Sequence, residues 1–134
     1  MDHRRCIPLG DYAYCAVSIN RNTARETCAA LKGRVVILDT KAESDALTGI
    51  LKGFVREPFW LALSDEKQEG AWVWDNGQPL TYENWHKAEP NDSGGHEDCA
   101  AAYWGGSPRW NDIGCTHKMA LVCEFGDAAQ PGKK

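Results

Sequence analysis

The chain has 134 residues, enough for one domain with one core and not for two. Hydrophobic residues make up 43% and charged residues 25%, a globular balance that argues against extended disorder. Fifteen Lys and Arg against nineteen Asp and Glu leave a net charge of −4 with no basic block to gather phosphates, so no nucleic acid is expected as a partner. Membrane insertion by this segment is not expected either, because its longest aliphatic run, Val35 to Leu38, falls far short of the about 20 apolar residues that span a bilayer. The six cysteines include no Cys-x-x-Cys pair, which favours disulfides formed in an oxidising compartment and hence a secreted or extracellular domain. Met1 to Cys6 is polar and opens no apolar leader, as expected of a mature or excised domain.

In chain order, residues 6–19 carry two cysteines around Pro8, Gly10 and Asp11, followed by apolar alternation, and predict a small hairpin. Thr23-Ala24-Arg25-Glu26 reads as a capping box opening a first helix, with Ala24, Cys28 and Leu31 on its inner face and Gly33 as its stop. Arg34 to Leu38 is a β-branched run, either a strand or a buried connection. A second capping box, Thr40-Lys41-Ala42-Glu43, predicts a helix with Leu47, Ile50, Leu51 and Phe54 inward, ended by Gly53 and Pro58. Beyond Pro58 the period becomes two: Phe59, Leu61 and Leu63, then Trp72 and Trp74, and finally Met119, Leu121, Cys123 and Phe125 predict strands. The stretch from Asp75 to Asp98 has neither period and is rich in Gly, Asn, Asp and Pro, the mark of a long functional loop. Residues 1–126 are read as the single domain and the polar segment 127–134 as a disordered tail.

Within that loop Glu89, Asp92, Glu97 and Asp98 lie close together with no Lys or Arg among them, and Gly94 and Gly95 let the backbone double back. Asn111 and Asp112 follow downstream; Asp65 and Glu69 lie upstream in a segment ending at Gly70. Acidic runs of this kind are commonly solvated faces. The competing reading is a cation site, and a donor set of carboxylates and amide carbonyls is all hard oxygen, which suits Ca²⁺ better than zinc or copper. Residue pairing favours the cation. Glu89 with Asn91 and Glu97 with Asn111 give two acceptors beside two amide donors, the complement of two neighbouring sugar hydroxyls whose remaining lone pairs face the ion.

At these residues the sequence resembles the C-type lectin domains, over nearly the whole chain from Cys6 to Phe125. The anchors are Trp60-Leu61-Ala62-Leu63, Glu89-Pro90-Asn91, Glu97-Asp98-Cys99, Trp110-Asn111-Asp112 and Cys123-Glu124-Phe125. The resemblance implies an α+β C-type lectin-like fold with two helices, two small antiparallel sheets and a long calcium-binding loop. It implies three disulfides, Cys6–Cys15, Cys28–Cys123 and Cys99–Cys115, which the residues alone do not choose. It places a sugar-binding calcium on Glu89, Asn91, Glu97, Asn111 and Asp112, and an auxiliary calcium on Asp65, Glu69, Asp92 and Asp98 with the Glu97 carbonyl, so two or more Ca²⁺ ions are expected. The Glu-Pro-Asn order resembles the mannose-type set and implies glycans with equatorial 3- and 4-hydroxyls: mannose, glucose, N-acetylglucosamine or fucose.

One site per domain gives weak monovalent binding, so useful avidity would need several copies. Trp104, in a small insertion from Tyr103 to Pro108, is a candidate stacking face for a sugar. The alternative function is structural calcium in a domain that binds a protein or ice through the surface near Tyr103 and Trp104. Catalysis is not expected: His96-Glu97 lacks the second histidine of a His-Glu-x-x-His helix, and no phosphate loop occurs.

Overall fold

The computed structural model describes residues 6–52, 57–86, 97–103 and 108–126. β1 (Cys6–Leu9) and β2 (Tyr12–Ile19) form the expected hairpin, with Cys6 opposite Cys15 and those two residues bridged. α1 (Arg21–Ala30) follows, then β3 (Arg34–Val35), α2 (Lys41–Leu51), β4 (Phe59–Ser64), β5 (Val73–Trp74), β6 (Cys99–Ala102), β7 (Trp110–Ile113) and β8 (Met119–Glu124).

The first helix starts earlier than its proposed capping box. Asn20 is the N-cap, its side chain accepting from the Thr23 N–H at 2.9 Å, while Thr23 lies in the first turn. Asn is as good a cap as Thr, and starting at Arg21 adds a turn to the buried face formed by Ala24 and Cys28. The stop also differs. Lys32 takes the left-handed position (φ 71°), with Gly33 N–H donating to Cys28 O at 2.8 Å and Lys32 N–H to Ala29 O at 3.0 Å, the paired bonds of a Schellman ending. Gly33 serves packing instead, since a Cβ there would lie 2.5 Å from the Phe125 ring and 2.6 Å from Glu124 O.

Thr40 caps the second helix as expected, with Glu43 N–H donating to Thr40 Oγ1 at 3.1 Å and that hydroxyl donating to Glu43 Oε1 at 3.3 Å. Ser44, Leu47 and Leu51 make the buried face of α2; Ile50 is 38% exposed and lies off it, and Phe54 is outside the described residues. Both readings of the 34–38 run hold in part. Only Arg34 and Val35 pair as a strand, and Val36, Ile37 and Leu38 continue as a buried connection, Val36 N–H donating to Val122 O and Ile37 N–H to the buried Glu124 carboxylate at 2.7 Å.

β2 and β3 pair antiparallel with β8, and β5 and β6 antiparallel with β4, with β7 beyond β6. The two antiparallel sheets are joined where β4 meets β8 in parallel at Phe59 and Ala120, giving a mixed sheet of order β1-β2-β8-β4-β6-β7. β4 and β8 are central, so both of their faces are buried, not only the alternating set that period two picks out. Trp60 is fully buried and donates its indole N–H to Ile19 O at 2.8 Å, tying β4 to the end of β2. Cys28–Cys123 ties α1 to β8, and Cys99–Cys115 ties β6 to the segment after β7; among the described residues no cysteine is free.

Candidate functional site

β4 ends at Ser64 opposite Cys99, the start of β6, and the ladder runs one step further as Asp65 N–H donates to Asp98 O at 3.0 Å. That step sets two carboxylates side by side. The chain then loops through Glu69 and reverses at Gly70, whose φ of 83° suits glycine and whose N–H donates to Asp65 Oδ2 at 2.9 Å. Carboxylate oxygens of Asp65, Glu69 and Asp98 thereby lie within 4.8 Å of one another. Asp65 is buried, and burial is the main cause that raises its pKa, with the like charge of Asp98 adding to it; the Gly70 N–H and Glu69 act in the opposite direction. Like charges on facing positions are destabilising.

Three buried oxygens, Asp65 Oδ1, Asp98 Oδ1 and Asn111 Oδ1, have no hydrogen-bond partner among the described residues. Such atoms cost about 1–3 kcal/mol each when left unsatisfied. A hard cation satisfies them, so the residues present fit Ca²⁺. Asn111 and Asp112 are buried on β7 opposite Ala101 and Ala100, and the half-buried Glu97 lies two residues before β6, the strand that pairs with β7. Glu89, Asn91 and Asp92 lie outside the described residues, as do Trp104, His96 and the 127–134 tail.

An aromatic cluster supports this edge. Trp110 meets Trp74, Tyr82 and Trp85 edge-on with ring centroids 5.6–5.8 Å apart, and Trp72 packs on Trp85 at 5.0 Å with the rings tilted by 58°. Trp110 N–H donates to Asn84 O at 2.7 Å and His86 N–H to Trp110 O at 2.8 Å, which anchors the chain at 84–86 to β7. Tyr103 is buried against Phe59, so it is not a surface ring of the kind that the protein- or ice-binding alternative requires.

Sequence reasoning missed Arg21. It is buried, donating through Nη1 to Glu66 Oε1 at 3.0 Å and through Nη2 to Asp75 Oδ1 at 2.7 Å. A lone arginine at the start of a helix carries no local signal of such a role. A second group, Glu66 with Cys99 and Cys115, is no metal centre, because both sulfurs are spent in a disulfide.

The family model described as "Lectin C-type domain" matches residues 17–125. The chain belongs to the C-type lectin domain family. This C-type lectin domain is 38% identical over 102 residues to the low affinity immunoglobulin epsilon Fc receptor of Mus musculus, covering 75% of the chain and 29% of that receptor. It is 31% identical over 115 residues to the hepatic lectin of Gallus gallus, covering 84% of the chain and 53% of that protein. The chain thus spans about half or less of the length of these curated relatives. Among solved structures, the cow CD23 C-type carbohydrate-recognition domain, determined in the presence of a GlcNAc2Man3 oligosaccharide, matches with a TM-score of 0.76 at 32% identity over 93% of this chain and 95% of that one. The family and its receptor and lectin relatives mark a binding domain and not an enzyme.

Proposed function

We propose that this C-type lectin domain binds carbohydrate in a calcium-dependent manner, taking sugars with equatorial 3- and 4-hydroxyls such as mannose, glucose, N-acetylglucosamine or fucose. The observation that carries the reading is the convergence of the Asp65, Glu69 and Asp98 carboxylates, with unsatisfied buried oxygens on Asp65, Asp98 and Asn111. Asp65, Glu69, Asp92 and Asp98 would hold the auxiliary ion, and Glu89, Asn91, Glu97, Asn111 and Asp112 the sugar-binding one. Bound calcium supplies a hard cation able to take a lone pair from each of two adjacent hydroxyls. Around it, Glu89 and Glu97 accept the hydroxyl protons while the Asn91 and Asn111 amides donate to the remaining lone pairs. An extracellular setting is supported by the three disulfides, and no helix among the described residues is long and apolar enough to cross a membrane.

Retention on mannose resin at millimolar calcium, with release by chelator, is the expected result. Retention that survives chelator, or none at any calcium level, overturns the sugar reading. Titration calorimetry with calcium alone tests the ion sites separately.

A further inference from the structure

We infer that Arg21 is a positioning residue for the 65–75 loop, clamping it shut so that the Asp65, Glu69 and Asp98 carboxylates are gathered before an ion arrives; the inference rests on the calcium reading above. Arg21 is an expensive residue where it stands. It is the first residue of α1, where a cation opposes the helix dipole, and it is only 4% exposed, where an unpaired charge would be heavily penalised. Both costs are met by its two carboxylate partners.

Those partners are the stems of one loop. Glu66 directly follows Asp65 at the exit of β4, and Asp75 directly follows Trp74 at the end of β5. Between them run Glu69 and Gly70. The two stems also meet through Ser64 opposite Val73 and Leu63 opposite Trp74, and Asp75 N–H donates to Ala62 O at 2.8 Å. The guanidinium therefore closes the loop from outside the strand pair. Arg21 N–H further donates to Cys115 O at 3.3 Å, linking the clamp to the bridge that starts at Cys99, one residue after Asp98. Arg25 adds a second hold on Asp75 at 3.4 Å.

Mutual repulsion of three carboxylates tends to splay the loop that carries two of them. A rigid planar fork bridging both stems opposes that motion, and it reduces the ordering that metal binding must otherwise supply.

The test uses Glu66→Ala, which removes the half-exposed arm and keeps the Arg21–Asp75 pair, together with Arg21→Met. Calcium affinity is read by titration calorimetry, and amide exchange across 65–75 is read in chelator. Both variants are expected to bind calcium about tenfold more weakly and to exchange faster across 65–75 before any metal is added. Leu51→Ala, in the remote core of α2, should lower thermal stability without changing calcium affinity. Unchanged affinity and unchanged exchange in Glu66→Ala, with the wild type binding calcium, overturn the inference alone. A wild type that takes up no calcium overturns the calcium reading and the inference with it. Should Arg21→Met fail to fold, Glu66→Ala decides.

Discussion

On the proposed calcium reading, Asp65 would be a carboxylate that weakens the empty protein and serves the loaded one. Its pKa is raised in the fold, by burial first and then by Asp98, so its contribution to stability is full below the unfolded carboxylate value and is lost as pH rises through the folded one. Calcium reverses the order, since a ligand carboxylate must be ionised. Asp65→Asn should therefore unfold no earlier than wild type in chelator, yet gain much less from calcium in a thermal melt; an undiminished calcium gain would remove Asp65 from the ligand set. Tyr12 makes a second titration visible. It faces Glu124 across the β2–β8 pair, and its pKa rises from 10.0 to about 12, chiefly by burial and then by the charges of Glu124, Glu43 and Asp11. The stability it confers is complete below pH 10.0 and fades as pH climbs through about 12. Tyr12→Phe should flatten that alkaline loss in melts recorded against pH.

At the scale of elements, the end of α1 divides two jobs between neighbours. Lys32 bears a left-handed backbone that costs a non-glycine residue on the order of 1 kcal/mol. Gly33 leaves room for the Phe125 ring and the Glu124 carbonyl. Lys32→Gly should raise the unfolding free energy by about 1 kcal/mol in denaturant titrations, and Gly33→Ala should lower it by about 1–3 kcal/mol through overpacking. Equal and small effects of the two changes would show that the ending is not organised this way. The same reasoning explains why the first capping box is not the cap: Thr23 and Glu26 have the right spacing, but the helix that buries Ala24 and Cys28 begins one turn sooner, at a cap equally suited to the task.

Over the whole molecule, the disulfides differ in how much chain they restrain. Cys28–Cys123 joins residues 95 apart and fastens α1 to β8 across the core, whereas Cys6–Cys15 spans 9 and staples one hairpin. Loop-closure entropy puts the long bridge at about 4–5 kcal/mol and the short one at about 2–3 kcal/mol. Denaturant unfolding of the paired Cys→Ala variants should reproduce that order. A larger loss for the hairpin bridge would point instead to packing of β1, which among the described residues pairs only with β2.

What the sequence determined by itself is what near neighbours decide: the hairpin, two helices, the strand periods and a segment rich in carboxylates. The resemblance carried by its motifs added the fold family and the disulfide pairing. Tertiary structure decided what depends on register between distant segments. It chose Asn20 over Thr23, buried both faces of β4 and β8 by placing them centrally, turned Ile50 outward and Tyr103 inward, and set Asp65 beside Asp98 through one backbone bond. It also drew Arg21 across 45 and 54 residues to the two stems of an acidic loop. Local patterns report which face of an element is apolar; which charges meet is settled only when strands far apart in the chain come into register.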